Sequence, residues 1–396
     1  MQTADTPLVS VITTTYNRAD RLKDMIQSVI NQTYTNWELI LVDDGSTDNT
    51  TAVVSSFNDQ RIRYHKLKKN CHICEAANTG LSLASSDLIA RLDHDDLWEP
   101  EKLKKQVCYM QAHPECGACF TQVKFFGPEH ADFPMQGNLF QAENMTQEEW
   151  LCELYFHRNH FCHSSVLYRK HLLDYGYDLV LSILHDCHMW IRILKKAPVH
   201  ILEEPLTLYY WDNQSNASSE TDEHAERLYY ESSYVRSHFF DDMDDDLFRR
   251  TFQPWFQNPD SSTPQELACE KAFLLFLRPD GNFLPHRFAG AELVARLLND
   301  PATHALLEEK FHFTQKDFYN QTQTPFWGTP FHVAKQMEQL KADLNESQLQ
   351  NEQLRGQLQH AADQASDAQN RLNAIVNSTS WKVTSPLRRL MDLFKH

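Results

Sequence analysis

Two acidic clusters stand directly behind apolar runs in the first quarter of the chain: Val42 precedes Asp43-Asp44-Gly45-Ser46, and Leu92 precedes Asp93-His94-Asp95-Asp96. Carboxylates at this spacing suit a hard divalent cation, Mg2+ or Mn2+. Such ions prefer oxygen ligands and commonly take one or two carboxylates, completing their shell with water and substrate phosphates. Two CxxC pairs, Cys71/Cys74 and Cys116/Cys119, invite a zinc reading. The second pair lies in Cys116-Gly-Ala-Cys-Phe-Thr-Gln-Val, which reads as a buried strand where small thiols simply pack. An odd total of nine cysteines without a secretion signal favours reduced thiols over a disulfide framework.

The elements that must position these groups alternate in type. From Leu8 to about Val123, short apolar strands exchange with amphipathic helices, the signature of a mostly parallel sheet flanked by helices. Strands are predicted at Leu8 to Thr14, Trp37 to Val42, Arg61 to His65 and Leu88 to Leu92. After the first, Leu22, Met25, Ile26, Val29 and Ile30 fall on one helix face that Asp20 could cap. Ligands of open α/β sheets bind beyond the carboxyl ends of the strands, so both acidic clusters are expected to face one crevice.

A length of 396 residues suits two domains plus an appendage, and 41% hydrophobic with 23% charged residues is a globular composition. The formal charge of -17 argues against a general nucleic-acid binder. No apolar run is long enough to span a bilayer, and the polar start has no leader pattern, so a cytoplasmic location is expected. From Glu220 to Pro330 the pattern is helical with Pro and Asp/Ser punctuation, and Asp241 to Asp246 reads as a solvated loop or helix start.

Between Val333 and Ile375 apolar and small residues recur in alternating steps of four and three. This heptad predicts a coiled coil about 60 Å long, with Asn351 at an a position beside Leu344 and Leu358. A single helix packed on the body is the alternative. The tail carries Leu387, Leu390, Met391 and Phe394 on one face among Lys382, Arg388, Arg389 and Lys395, which suits an anionic membrane surface.

Taken in order, Val9-Ser-Val-Ile-Thr-Thr-Thr-Tyr-Asn17, Ser28-Val-Ile-Asn-Gln-Thr33, Trp37-Glu-Leu-Ile-Leu-Val-Asp-Asp-Gly-Ser-Thr-Asp48, Asn78-Thr-Gly80 and Ile89-Ala-Arg-Leu-Asp-His-Asp-Asp-Leu-Trp-Glu-Pro100 resemble the family 2 inverting glycosyltransferases of bacterial surface-glycan type. The resemblance is specific from Leu8 to about His113 and weaker to about Trp211. It implies a GT-A fold (Rossmann-like) and metal-dependent transfer of a sugar from a nucleotide-sugar donor, with Mn2+ or Mg2+. By the same match Thr14, Tyr16 and Asp44 contact the nucleoside, Asp93 the ribose or metal, and Asp95 the metal directly. His163 falls where related enzymes place a His near the diphosphate or metal; read alone it is equally a buried structural His. Asp186, in His185-Asp-Cys-His-Met-Trp-Ile-Arg192, matches the catalytic base, whereas the residue alone reads as a helix N-cap. His185 stands where the family usually has Glu, and Ala77 where many relatives have Arg or Leu. The QxxRW motif of processive synthases does not occur.

The expected organisation is a GT-A domain over 1-215, a helical accessory region over 216-330, a coiled coil over 331-376 and a basic amphipathic tail over 377-396. The expected partners are a nucleotide-sugar donor, a glycan or lipid-linked acceptor and a second copy of the chain, with the tail touching the inner face of the cytoplasmic membrane. A protein-directed transferase, or a coiled-coil scaffold with a degenerate transferase domain, are the alternatives.

Overall fold

A computed structural model describes residues 6–127, 140, 142–211, 222–277, 285–323, 330–384 and 386–389. The chain divides into two units, Met1–Thr322 and Gln323–His396. Among the described residues the first carries eight strands: β1 Val9–Thr15, β2 Trp37–Asp43, β3 Ile62–Lys66, β4 Leu88–Arg91, β5 Leu97–Trp98, β6 Ala118–Phe126, β7 Leu167–Arg169 and β8 Val199–Tyr210. Its helices are α1 Ala19–Ile30, α2 Thr50–Ser55, α3 Ile73–Leu83, α4 Lys102–Ala112, α5 Gln147–Phe156, α6 His185–Leu194, α7 Asp222–Ser237, α8 Asp245–Phe252, α9 Pro264–Phe276, α10 Pro285–Asn299, α11 Pro301–Phe311 and α12 Gln315–Gln323.

The strands form one sheet in the order β3-β2-β1-β4-β7-β6-β8-β5. β3, β2, β1 and β4 are parallel, as the alternating pattern predicts. Beyond β4 the sheet is mixed: β6 and β8 run parallel, whereas β7 runs antiparallel to both β4 and β6, and β5 antiparallel to β8. β7 and β5 have three and two residues, too few to display a period. The result is a mixed sheet flanked by helices.

Side chains alternate between the sheet faces with period two. Val9, Val11, Leu39 and Leu41 pack with Leu22, Met25, Ile26 and Val29 of α1 and Leu103, Val107 and Met110 of α4. Ile12 and Ile89 point the other way, into a core shared with α3, α5 and α6. Gly80 lets α3 lie close on β1, since a Cβ there would stand 2.5 Å from Ile12 Cγ2. The cap of α1 is not Asp20: the helix starts at Ala19, whose N–H donates to Asp48 Oδ2 at 3.1 Å.

Val235, Phe239, Phe240, Leu247, Phe248, Phe252, Leu267 and Leu275 belong to the same core as Trp150, Tyr155 and Trp190. The boundary expected at 215/216 therefore falls inside one compact unit. Within the acidic run, Asp244 caps α8 by accepting from the Asp246 and Leu247 amides, so that run is a helix start.

The second unit contains α13 Pro330–Asn377 and α14 Thr379–Val383. Along α13 the heptad residues Leu340, Leu344, Leu354, Leu358, Leu372 and Ile375 are all exposed by more than half. In the tail, Leu387 is exposed, and Leu390, Met391 and Phe394 lie outside the described residues. No described helix is long and apolar enough to cross a membrane.

Candidate active site

Strand register brings the predicted residues to one edge of the sheet. Thr14 pairs with Val42 and Thr15 with Asp43, while Arg91 at the end of β4 pairs with Ile12. The chain therefore leaves β1 at Tyr16, β2 at Asp44 and β4 at Leu92 along a common rim. Thr14 is buried beneath it, and Tyr16 is 44% exposed.

The neighbours Asp43 and Asp44 have separate tasks. Asp43 is fully buried and structural: its Oδ1 accepts the Ser46 amide at 2.7 Å, and Tyr64 Oη donates to its other oxygen. Asp44 Oδ1 accepts the Cys71 amide at 2.7 Å. This bond needs Gly45, whose φ of +79° suits glycine and whose missing Cβ would meet Lys69 C at 2.7 Å. Burial raises the Asp44 carboxyl above its ordinary value, although the Cys71 and His72 amides oppose the shift. Asn17, at φ 52°, ties the β1 and β2 loops together: its amide donates to Ser46 Oγ at 2.9 Å, and its Oδ1 accepts from Thr47 N at 2.8 Å.

The second acidic cluster is anchored from the antiparallel half. The Asp93 amide donates to Ser164 Oγ at 3.0 Å, and Trp98 Nε1 donates to Ser164 O at 2.8 Å. Asp96 is buried and accepts the Tyr210 amide at 2.8 Å. Asp95, one quarter exposed, has the His94 ring at 3.8 Å and the Asp96 carboxylate close enough to repel it. Of the three carboxylates it is the one held least by its own protein.

Asp93 closes a buried network. His163 Nδ1 stands 3.2 Å from Asp93 Oδ2, and Arg91 Nη2 stands 3.4 Å from Oδ1. Arg91 Nε donates to His163 Nε2 at 3.2 Å, and the Tyr177 hydroxyl lies 2.8 Å from the same nitrogen. A guanidinium can only donate, so Nε2 accepts and Nδ1 carries the proton toward Asp93. Burial would raise the Asp93 carboxyl, but the His163 ring and the Arg91 guanidinium outweigh it and hold it well below the usual carboxylate range. Both ring nitrogens of His163 are thus engaged, and a guanidinium occupies the side from which a cation would approach Nε2. The geometry makes His163 a holder of Asp93 and gives no support to the expectation that it ligates metal.

Asp186 lies on the first turn of α6. Its Oδ1 accepts the Cys187 amide at 2.6 Å and its Oδ2 accepts Asn159 Nδ2 at 3.3 Å. The preceding His185 connects it to the Asp93 network, because the His185 and His163 ring centroids are 5.3 Å apart. Burial lowers the His185 imidazole to about 4, and its Nδ1 lies 3.1 Å from Ser182 O. The neutral ring therefore donates through Nδ1.

Sequence reasoning missed Arg91, Ser164 and Tyr177. Arg91 lay in an apolar strand, and nothing local marked a buried guanidinium with no surface exposure. Tyr177 is placed by Asn78, which accepts from its amide (2.7 Å) and donates to its carbonyl (2.8 Å), so the first residue of Asn78-Thr-Gly80 acts as a clamp. Among the described residues no three His, Cys, Asp or Glu side chains converge as a metal cage, the CxxC pairs included. Asp95 with Asp93 alongside still fits a cation that keeps positions for water and phosphate.

The model of glycosyl transferase family 2 matches residues 10–176, which spans the rim and Arg91, Asp93 and His163 of the network just described and stops short of Tyr177, His185 and Asp186. An uncharacterized glycosyltransferase of Methanocaldococcus jannaschii is 30% identical over 222 residues, covering 54% of this chain and 73% of that protein. The Escherichia coli UDP-Glc:alpha-D-GlcNAc-diphosphoundecaprenol beta-1,3-glucosyltransferase WfgD is 42% identical over 106 residues, 27% of this chain and 42% of that one. Against three Bacillus subtilis relatives the chain covers 57%, 40% and 50% of their lengths, about half. Among solved structures, S. aureus TarS 1-349 in complex with UDP aligns at 18% identity with a TM-score of 0.49, covering 79% of this chain and 88% of that one. With the family model on the site-bearing sheet and a relative of 30% identity matched over most of its length, the chain belongs to glycosyl transferase family 2.

Proposed function

We propose that this chain transfers a sugar, with inversion, from a metal-bound nucleoside diphosphate donor to a glycan acceptor carried on a lipid, an intermediate of a surface polysaccharide. The observation that carries the proposal is the shared rim of β1, β2 and β4, which gathers Thr14, Tyr16, Asp44, Asp93 and Asp95, linked through His163 and His185 to Asp186.

Asp44, fixed by the Cys71 amide, accepts an N–H of the nucleobase, with Thr14 and Tyr16 flanking the nucleoside. Asp93, held by His163 and Arg91, accepts from the ribose. A Mn2+ or Mg2+ ion held by Asp95, with Asp93 beside it, would offset charge developing on the departing diphosphate. Asp186 takes the proton of the acceptor hydroxyl as its oxygen attacks the anomeric carbon. The bond to the diphosphate oxygen breaks on the opposite face, its electrons leave with the diphosphate, and the configuration inverts. Asn159 and the Cys187 amide hold the carboxylate during this step. Calorimetric titration with nucleoside diphosphates, with and without Mn2+, tests the donor half.

The lipid-linked acceptor is supported by the diphosphoundecaprenol acceptor in the name of the E. coli relative and by the cationic tail, which would keep the protein at the inner face of the membrane. Self-association through α13 is supported by its exposed leucine seam. Light scattering at micromolar concentration is expected to give a dimer, and Leu344→Asp with Leu358→Asp a monomer. A monomeric wild-type chain would refute the pairing.

A further inference from the structure

Glu231 lies on α7, in the stretch whose sequence shows no chemical constellation, yet its side chain is fully buried. Its Oε1 accepts the Ser182 amide and the Ser182 hydroxyl, each at 2.8 Å. Its Oε2 accepts the amides of Ile183 and Leu184, also each at 2.8 Å. Three consecutive amides aimed at one point form an anion-binding concavity, and here a carboxylate of the same chain fills it. Arg227 Nε bonds Oε1 at 2.6 Å while Arg227 Nη2 donates to Val180 O, and Tyr234 Oη donates to Asp178 Oδ2 at 2.9 Å. One face of α7 thus grips the whole segment from Asp178 to Leu184.

That segment runs directly into α6. The next residue, His185, is tied back to Ser182 O, and the one after it is Asp186. A rotation of the 182–184 turn would therefore carry His185 and Asp186 with it. The carboxylate that satisfies the amides entering α6 is Glu231, which relieves Asp186 of most of the role that its position alone suggests. Burial works to raise the Glu231 carboxyl, but the amides of Leu184 and Ile183, Arg227 and Ser182 outweigh it and keep it below the ordinary value.

We infer that Glu231 is a positioning residue for the transfer step: by clamping the Ser182–Leu184 turn it sets where the Asp186 carboxylate stands, so α7 belongs to the catalytic apparatus. The inference rests on the assignment of Asp186 as base. An Asp186 displaced by about 1 Å is expected to cost on the order of 10²-fold in rate.

The test uses the full chain and three variants, Glu231→Gln, Asp186→Asn and the double variant. Glu231→Gln keeps the volume but turns an amide NH2 toward backbone N–H groups. Its kcat is expected to fall about 10²-fold, with the affinity for a nucleoside diphosphate and Mn2+ unchanged within about twofold. The double variant is expected to be no slower than Asp186→Asn, because one residue acts through the other. Wild-type kcat in Glu231→Gln, or additive losses in the double variant, would overturn the inference while leaving the base assignment standing. Full activity of Asp186→Asn would overturn both. Should Glu231→Gln fail to fold, amide exchange in the wild-type protein decides: Ser182, Ile183 and Leu184 are expected to be protected like helix interiors, and exchange at the rate of open loops would refute the clamp.

Discussion

Asp186→Asn is expected to lower kcat by about 10²–10⁴-fold, the range supplied by a positioned general base. Donor affinity should stay within about twofold, because every residue assigned to the donor lies at the end of β1 or on the loops after β1, β2 and β4. The substitution is gentle to the fold. An asparagine carbonyl can still accept the Cys187 amide that Asp186 Oδ1 accepts at 2.6 Å, and the other bond, from Asn159, is long at 3.3 Å. The Ser182–Leu184 amides keep their partner in Glu231. Steady-state transfer kinetics beside calorimetric donor titration separate the two effects. A kcat within threefold of wild type would remove Asp186 from the proton transfer.

The second large effect is expected at Asp95. Asp95→Ala should weaken Mn2+-dependent binding of a nucleoside diphosphate on the order of 10²-fold, since a cation–carboxylate contact contributes several kcal/mol to such a site. Thermal stability should barely change, because Asp95 is one quarter exposed and its pairing with His94 is long at 3.8 Å. Asp96 makes the informative contrast. It is buried and accepts the Tyr210 amide at 2.8 Å, so Asp96→Ala leaves a buried donor without its partner and lowers stability by about 1–3 kcal/mol. Melting curves and Mn2+ titrations on the two variants should therefore show opposite patterns. Equal effects on both measurements would mean that the two adjacent acids do not divide their labour in this way.

The parts of this protein that sequence reveals are those where a period and a local motif agree. β1 to β4 and the buried face of α1 follow from alternation and helical spacing, and the acidic turns follow from strand ends. Asp43 and Asp44 are adjacent and chemically identical in sequence; only the close approach of Lys69 and Asn70 to Gly45 separates the turn-builder from the candidate ligand. The antiparallel half was hidden because β7 is three residues long and β8 carries Glu203-Glu204-Pro205, a bulged stretch that reads as a turn. Arg91, Tyr177 and Glu231 were hidden for another reason. Each acts through a partner outside its own element, 72 residues away for Arg91 with His163, 14 for Tyr177 with His163 and 49 for Glu231 with Ser182, and no local pattern marks such pairs. The helical period of α13 was legible, and its leucines are solvent-exposed in the single chain; a repeat specifies a surface, and what covers that surface belongs to the proposed self-association.

On the proposed function, the rim of β1, β2 and β4 binds a metal-bound nucleoside diphosphate sugar for transfer. Titrating the full chain with a panel of nucleotide sugars and their diphosphates, in Mn2+ and again in EDTA, measures this directly. Saturable binding of at least one nucleoside diphosphate is expected in Mn2+, lost in EDTA and in Asp95→Ala but retained in Asp186→Asn. Absence of binding by any of the panel in Mn2+, or binding indifferent to both EDTA and Asp95→Ala, would contradict it.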